Sequence, residues 1–552
     1  MRFRLTTTLA FLSLSFCLAN KLAATAKQTS SARPNILLIV VDDLRWDALS
    51  CTGHPFSQTP NIDRIAKEGI IFQNAFTTHS LCSPSRATLL TGLYSHQHRV
   101  RDNNTPLDAK FPMVPQILQK SGYETAFIGK WHMGHSEARP KPGFNHWVSF
   151  IGQGQYTNPA INVNDKWYST TGHLSDILTD YALEYLSRDR SAPFFLMLSH
   201  KAVHQPFTTQ PRFKGIYANA NIIFPPTWEE DLSDKPAFLQ DYLAYFKFDL
   251  KLLTRQYYEC LAGIDDGVKK ILDKLTEKKA LDNTLIIFMS DNGYFFGEHN
   301  LGDKRLAYEE SMRIPLFMRY PPSFSAGTKS AKMALTVDLA PTLLNAAAIP
   351  DSFNLPGVPL QKLAASKAER ASFLYQYFVD PALPIVPAMR AIRTRDYKYI
   401  LYGDSTATQE LYNLKKDSIE ASNLIKEPAY SPVVKRLRFQ LDSLRFAVND
   451  TSLISSVDER SLEIPVQFVL HQNYPNPFNP TTTIKYSLPS AAHVQLKIFD
   501  VNGQEVATLI DAIQNAGVRS VQWDASGYAN GLYFCRLAAG AFAQTQKLTV
   551  IK

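Results

Sequence analysis

Asn35-Ile36-Leu37-Leu38-Ile39-Val40-Val41-Asp42-Asp43 is the stretch that decides the fold, because it is a continuous apolar run that ends in two carboxylates. Such a run is typical of a parallel strand in a sheet that is covered on both faces. Similar runs recur at 125–130, 194–199 and 284–292, and helical patterns such as 257–275 lie between them. This alternation predicts an α/β sheet sandwiched by helices, with functional groups at the carboxyl ends of its strands.

Carboxylates and an amide follow two of these predicted strands. Asp42 and Asp43 end the first run, and Asp291 and Asn292 end the last. Adjacent carboxylates at a strand end are costly unless they are neutralised, and a hard divalent cation neutralises them well. A single Asp-Asp pair is more often a helix cap or a solvated loop, but two such pairs together predict a metal site. Four oxygen ligands fit Ca²⁺, with Mg²⁺ as the alternative.

The run Leu81-Cys82-Ser83-Pro84-Ser85-Arg86-Ala87-Thr88-Leu89-Leu90-Thr91-Gly92 is the most specific motif of the chain. A buried cysteine on a strand-to-helix turn would be the ordinary interpretation of Cys82. The full run, however, resembles the modification signal of type I sulfatases, in which this cysteine is oxidised to formylglycine. The hydrated aldehyde has two hydroxyls on one carbon, so that one attacks sulfur and the other later expels sulfate.

The resemblance implies a role for each of several polar residues after the predicted strands. Arg86 and Lys130 would hold the hydrate and stabilise its charge, and His132 would take the proton that triggers sulfate elimination. Lys304 would bind sulfate oxygens, and His204, alone or with Lys304, would protonate the leaving alkoxide. It also implies that the metal ligands are Asp42, Asp43, Cys82, Asp291 and Asn292.

Other residues of the same segments have weaker claims. Four are candidate substrate contacts only: His200, Lys201, His299 and Arg305. His96 and His98 are interpreted as supporting the fold. The chain departs from the family pattern at Val203, where a proline often precedes the histidine, and we expect the change to be tolerated because His204 is present.

The sulfatase resemblance covers roughly residues 33–447. It implies an alkaline-phosphatase-like catalytic α/β domain at 33–350 and a smaller α+β subdomain at 351–450, which includes an ELYNL string at 410–414. A linker at 451–467 and a small all-β sandwich at 468–552 follow. The last segment resembles the C-terminal sorting domains of the type IX secretion system, and the alternative is a carbohydrate-binding or structural β module.

Composition and the first residues predict an exported protein. The 552 residues are 45% hydrophobic and 20% charged, as in ordinary soluble proteins, and the net charge of +8 is mild. The Lys and Arg residues are dispersed, so the sequence does not indicate a nucleic-acid binder. A basic and then apolar start with a small-residue cleavage site predicts a signal peptide at 1–26, and no later segment predicts a membrane span. Export through the periplasm to the medium or the cell surface is expected.

These observations predict an exported, formylglycine-dependent sulfatase that acts on a sulfated carbohydrate. The string at 296–305 is most similar to sulfatases of glycosaminoglycan-type sugars, the N-acetylglucosamine-6-sulfatase group among them. The expected partners are a formylglycine-generating enzyme and the secretion machinery. Two rivals stay open: a phosphonate or phosphodiester hydrolase of the same superfamily, and a non-catalytic glycan-binding protein in which Cys82 is unmodified.

Overall fold

The structure is a computed structural model that describes residues 33–134, 138–243, 249–367, 369–403, 408–451, 468–473, 475–489, 491–514, 517–540 and 542–551. The chain divides into two compact units, Met1–Leu453 and Ile454–Lys552. The predicted signal peptide and nearly all of the predicted linker lie outside the described residues. Across the part of the chain that is described, none of the helices combines the length and apolar character that a bilayer crossing requires.

A mixed sheet of eleven strands forms the centre of the first unit. Its strands are β1 Asn35–Val41, β2 Ile70–Phe76, β3 Glu124–Gly129, β4 His146–Ser149, β5 Ala160–Val163, β6 Lys166–Ser169, β7 Phe194–Ser199, β8 Thr284–Ser290, β11 Arg313–Ile314, β12 Leu316–Arg319 and β13 Thr328–Leu335. The strands β9 Phe295–Phe296 and β10 Gly302–Asp303 form a separate two-stranded sheet. The order β8-β1-β7-β3-β4 is parallel throughout, as predicted, and antiparallel strands extend it at both sides.

Helices cover both faces of this sheet. The helices of the first unit are α1 Pro60–Lys67, α2 Cys82–Thr91, α3 Ser95–His98, α4 Val114–Lys120, α5 Leu174–Ser187, α6 Phe238–Leu243, α7 Leu250–Glu277, α8 Glu309–Met312, α9 Leu339–Ala346, α10 Leu360–Ala365 and α11 Ser431–Ala447. Side chains alternate along β1, so that Leu37 and Ile39 pack with α5 and α7 while Ile36 and Leu38 pack with α2 and α9. Burial on both faces explains the uninterrupted apolar runs.

A second, smaller sheet lies at the end of the first unit. Its antiparallel strands are β14 Ser372–Tyr377, β15 Met389–Thr394, β16 Tyr397–Tyr402 and β17 Gln409–Asn413. Helix α11 contributes Leu437 and Leu441 to the core beneath this sheet. Four strands and the helix α11 agree with the smaller α+β subdomain that the sequence predicts at 351–450.

The second unit is all-β, as the sequence predicts. Its strands are β18 Val469–Leu470, β19 Thr481–Leu488, β20 Ala492–Phe499, β21 Glu505–Gln514, β22 Gly517–Asp524, β23 Gly531–Ala539 and β24 Phe542–Val550. They form a three-stranded and a four-stranded antiparallel sheet around one apolar core. Strand β21 lies at the edge of its sheet, and its burial does not alternate.

Strand register brings the functional segments to one edge of the large sheet. Val40 of β1 pairs with Ser199 of β7, which pairs with Gly129 of β3. On the other side of β1, Val41 pairs with Ser290 of β8. The parallel strands therefore end side by side, and the residues that follow each of them meet above the carboxyl edge.

Candidate active site

Nine of the ten predicted site residues are joined by direct contacts around Cys82. Its thiol lies 3.2 Å from Asp42 Oδ1 and 3.2 Å from Lys304 Nζ. Lys130 pairs with Asp42, and Lys304 with Asp43. The other contacts are Arg86 to Asp291 Oδ2 (2.9 Å), Asn292 Nδ2 to Asp43 Oδ1 (2.6 Å) and His204 Nε2 to Asp43 Oδ2 (3.7 Å). The tenth residue, His132, lies beside helix α2, because its Nδ1 is 3.4 Å from the hydroxyl oxygen of Ser83.

Helix α2 presents Cys82 as its first residue. Pro84 lies in the first turn, where its missing N–H is no loss, and Gly92 ends the helix with a left-handed φ of 72°. The positive end of the helix dipole is therefore at Cys82, where it favours negative charge. Arg86, one turn later, is buried and reaches Asp291, the carbonyl of Lys130 and the hydroxyl of Ser199. The helix thus fixes a nucleophile position and a cation on one side.

The carboxylates form a compact, fully buried oxygen cluster. Oxygens of Asp42, Asp43 and Asp291 all lie within 4.8 Å of one another. Asn292 Oδ1 is buried and has no hydrogen-bond partner among the described residues. Burial and the neighbouring Asp42 raise the pKa of Asp291 to about 7, which Arg86 only partly opposes. Three carboxylates and an orphaned amide oxygen are the donor set that a hard divalent cation requires, so these residues fit a metal.

Three buried cations surround this cluster. Burial raises the pKa of Asp42, but Lys130, His204 and Arg86 outweigh it and hold that pKa well below its usual range. Burial lowers the pKa of Lys304, yet Asp43 and Cys82 raise it well above the ordinary value. Arg86, Lys130 and Lys304 therefore provide fixed positive charge next to the first turn of α2. Such a pocket favours an anionic group and the charge that develops on it.

The two histidines stand in different surroundings. His204 donates its Nδ1–H to the carbonyl of Gln205 (2.5 Å), which leaves Nε2 facing Asp43. Burial and the cations Lys130 and Lys304 lower the pKa of His204 to about 3, against the pull of Asp43. His132 is buried, with Nδ1 3.4 Å from Ser83 Oγ, and burial together with Lys130 lowers its pKa well below 6.5. Both rings are thus neutral bases at neutral pH.

Cys82 itself is a protonated thiol. It is fully buried, and burial together with Asp42 raises its pKa to about 12, although Lys130 and Lys304 act in the opposite direction. A thiol of this kind has little thiolate at neutral pH and is a weak nucleophile.

The structure separates the four candidate substrate contacts. Lys201 is near the site: its ammonium lies 4.7 Å from the ring centroid of Tyr156, and burial and Lys130 lower its pKa to about 8. His200 is buried with Nδ1 unpartnered among the described residues, burial lowers its pKa to about 4, and the charged groups that act on it are Asp176 and His173 rather than the residues around Cys82. The other two residues are tied to neighbouring acids.

His299 donates to Glu230 Oε1 (2.6 Å) and stacks on Tyr308. Arg305 pairs with Asp303 and with buried Asp380 (2.8 Å). Both therefore brace the loop that carries Lys304. His96 and His98 bond to Val448 and Thr88, as expected of residues that support the fold.

Sequence reasoning missed several residues that shape this site. Ser83 donates to the carbonyl of His132 (2.5 Å), and its N–H donates to Asn103 Oδ1 (3.1 Å). Ser199 binds Arg86, and the hydroxyl of Tyr156 donates to the carbonyl of His204 (2.7 Å). Ser199 could have been found, because it is the last residue of a predicted strand that points at the same edge. Asn103 and Tyr156 lie in loops without a pattern of their own.

Comparison with protein families finds three matches along the chain. Residues 34–349 match the model described as sulfatase, and residues 297–447 match the C-terminal region of N-sulphoglucosamine sulphohydrolase. Residues 472–552 match a secretion system C-terminal sorting domain.

Similar proteins are known by sequence and by structure. The chain is 32% identical over 516 residues to an N-acetylglucosamine-6-O-sulfatase of Bacteroides thetaiotaomicron, covering 80% of this chain and 90% of that protein. It is 26% identical to the N-acetylglucosamine-6-sulfatase of Capra hircus, over 72% of this chain and 80% of that protein. A structure solved with its substrate D-glucosamine-2-N,6-O-disulfate superposes with a TM-score of 0.70 at 30% identity, over 76% of this chain and 99% of that one.

Proposed function

We propose that this chain, which belongs to the sulfatase family, removes 6-O-sulfate groups from N-acetylglucosamine units of glycosaminoglycan-type polysaccharides. The family and the alkaline-phosphatase-like fold make it a sulfuric ester hydrolase, as the sequence predicts. The observation that carries the proposal is the position of Cys82, first in helix α2 and between Asp42 and Lys304. Two relatives, an N-acetylglucosamine-6-O-sulfatase and an N-acetylglucosamine-6-sulfatase, support the choice of sugar.

The proposed nucleophile is the formylglycine made from Cys82 by a formylglycine-generating enzyme. When formed, it supplies a hydrated aldehyde with one hydroxyl to attack sulfur and a second to release sulfate. Arg86 and Lys130 would hold the hydrate and stabilise its charge, and Lys304 would bind the sulfate oxygens, because all three cations are buried close to Cys82. The high pKa of the unmodified thiol agrees with a chemistry that does not use a thiolate.

We assign the metal to the oxygen cluster. Asp42, Asp43, Asp291 and Asn292 would hold a divalent cation, with the modified Cys82 beside it. When bound, the cation would stabilise negative charge on the transferring sulfuryl group. Ca²⁺ suits four or more protein oxygens in an irregular cluster, and Mg²⁺, which demands stricter geometry, is the alternative.

The histidines are assigned to proton transfer. His132 lies on the α2 side of the pocket, beside Ser83, and would accept the proton that accompanies sulfate release. His204 presents Nε2 to the pocket from the opposite loop and would protonate the leaving sugar oxygen. Its pKa of about 3 belongs to the protein without substrate; a bound sulfate monoanion would raise it, because the ester adds a negative charge.

The second unit is assigned to export. Because residues 472–552 match a secretion system sorting domain, the chain carries an export signal at its end. We propose that residues 1–26 direct it into the periplasm and that residues 468–552 engage the type IX machinery. Delivery to the medium or to the cell surface would follow.

The test is a panel of defined sulfated saccharides incubated with protein matured by a formylglycine-generating enzyme. We expect sulfate release from N-acetylglucosamine-6-sulfate to be faster than from its 3-sulfated isomer or from galactose-6-sulfate. Phosphonate and phosphodiester substrates, assayed in parallel, should be turned over far more slowly. Faster turnover of a phosphonate, or release from galactose-6-sulfate alone, would contradict the proposal.

A further inference from the structure

A groove of about 340 Å³ lies at the outer edge of the large sheet, beside the β5–β6 hairpin. Its lining includes Phe150, Ile151, Gln155 and Trp167. Trp167 is 47% exposed and Ile151 is 51% exposed, although both are large apolar residues in an ordered part of the fold. Exposed apolar residues that lie next to each other indicate a binding site more strongly than a single exposed apolar residue does.

One segment of the chain joins the groove to the active site. Residues 150–156 start directly after β4, and Gln155 of this segment lines the groove. The next residue, Tyr156, donates its hydroxyl hydrogen to the carbonyl of His204 (2.7 Å), and its ring lies under the ammonium of Lys201. One end of the segment therefore shapes the groove, and the other supports the loop that carries His204.

Strand register sets the distance between the groove and the pocket. Trp167 of β6 pairs with Asn162, which pairs with Ser149, which pairs with Gly129, the residue before Lys130. Three strand spacings separate Trp167 from Gly129, or about 14 Å. A monosaccharide in the Cys82 pocket cannot reach that far, whereas an oligosaccharide can.

The charges near Trp167 suit an anionic chain. Lys166, which lies on the opposite face of β6 from Trp167, and Arg139 are both exposed at this hairpin, and Asp165 of the turn forms an ion pair with Arg139 at 3.8 Å, so the two cations outnumber the one acid. Pyranose rings carry an apolar face of C–H bonds that packs on an aromatic ring, and sulfate or carboxylate groups on the same chain attract cations. An exposed Trp on a hairpin whose cations outnumber its acid meets both requirements.

We propose that Trp167 forms a distal subsite that stacks on a sugar ring of the same sulfated polysaccharide whose sulfate ester occupies the Cys82 pocket. The inference rests on the proposed function, because it takes the polysaccharide as the substrate. It identifies the enzyme as one that recognises a chain of several sugars rather than a terminal sugar alone.

The test compares Trp167→Ala with Tyr168→Ala in matured enzyme. Tyr168 is the matched control, since it is adjacent and 48% exposed but pairs with Ile161 and points to the opposite face of the strand. Sulfate release is measured with a 6-O-sulfated heparan sulfate oligosaccharide and with N-acetylglucosamine-6-sulfate. For Trp167→Ala, the KM ratio of oligosaccharide to monosaccharide should rise about three- to tenfold, with kcat on the oligosaccharide unchanged. Tyr168→Ala should leave the ratio as it is.

An unchanged ratio in Trp167→Ala, or equal rises in both variants, would overturn the subsite. A change in oligomeric state of Trp167→Ala by sedimentation, without a change in the ratio, would also overturn it and would assign the face to contact between copies. Calorimetric binding of the same oligosaccharide to both variants separates the failure of the subsite from the failure of the proposed sulfatase function. If the wild-type protein desulfates neither substrate but binds the oligosaccharide in a Trp167-dependent way, the proposed function fails and the subsite stands.

Discussion

Replacement of His204 tests the assignment of a proton donor to the leaving group. The ring is fixed by its Nδ1–H bond to the Gln205 carbonyl, and Nε2 faces the pocket 3.7 Å from Asp43. Arg86 and Lys304 have pKa values raised above their ordinary ranges, so neither gives up a proton readily at neutral pH. We therefore assign the protonation of the sugar alkoxide to His204, whose Nε2 faces the pocket and whose pKa the bound sulfate ester would raise.

The size of the effect follows from the chemistry of the leaving group. A sugar alkoxide is strongly basic and needs a proton, so loss of one positioned donor should lower kcat by about 10²–10⁴, or roughly 3–5 kcal/mol of activation free energy. An activated aryl sulfate leaves as a stable phenolate and needs little help. His204→Ala should therefore reduce kcat far more on N-acetylglucosamine-6-sulfate than on para-nitrophenyl sulfate.

The assay is sulfate release from both substrates by His204→Ala and His204→Asn. Asparagine can keep the hydrogen bond to the Gln205 carbonyl through its amide N–H, but it cannot act as an acid. It therefore controls for the shape of the loop, and we expect it to show the same contrast between substrates. Equal losses on the two substrates, or restored activity in His204→Asn, would refute the role and assign His204 to binding or folding.

Three other predictions concern the metal, the tail and acid stability. Asn292→Ala should raise the concentration of Ca²⁺ needed to protect the protein from thermal unfolding; an unchanged Ca²⁺ dependence in calorimetry would remove Asn292 from the metal site. Truncation before residue 468 should leave kcat on a small aryl sulfate near that of the full chain but abolish export, and a hundredfold loss in a folded truncation would contradict this. The pKa of Glu309 is about 2, because Lys398 and Arg393 outweigh burial, so its stabilising effect is complete above its ordinary value of 4.5 and is lost as pH falls towards 2. In Glu309→Gln, the unfolding temperature should therefore decrease less between pH 4.5 and pH 2 than in the wild-type protein. An equal decrease in the two proteins would contradict this.

The central sheet could be predicted because strands that are buried on both faces appear in the sequence as continuous apolar runs. Runs such as 35–41 and 284–290 are apolar throughout, and parallel strands of this kind carry their functional groups at one edge. Asp42 and Asp291 could therefore be placed together at this edge, although 249 positions separate them in the sequence. The motif around Cys82 supplied the chemistry, and helix α2, which begins at Cys82, holds that residue at its first position.

Other features depend on contacts that leave no local pattern. His200 follows the same strand as His204, but Ser199 faces Arg86 and the pocket, so the next side chain points away. Arg305 is held by Asp380, which lies 75 positions later and belongs to a different part of the fold. Sequence spacing alone could not distinguish these residues from substrate contacts.

The chemical state of Cys82 is decided by the mass of the peptide that contains this residue and ends at Arg86, taken from active protein. If Cys82 is the source of the nucleophile, matured protein should contain formylglycine at this position, and sulfatase activity should rise in proportion to the modified fraction. Cys82→Ser should lose turnover or accumulate a sulfated serine, since it lacks the second hydroxyl. Fully active protein with only unmodified cysteine at position 82 would contradict the account.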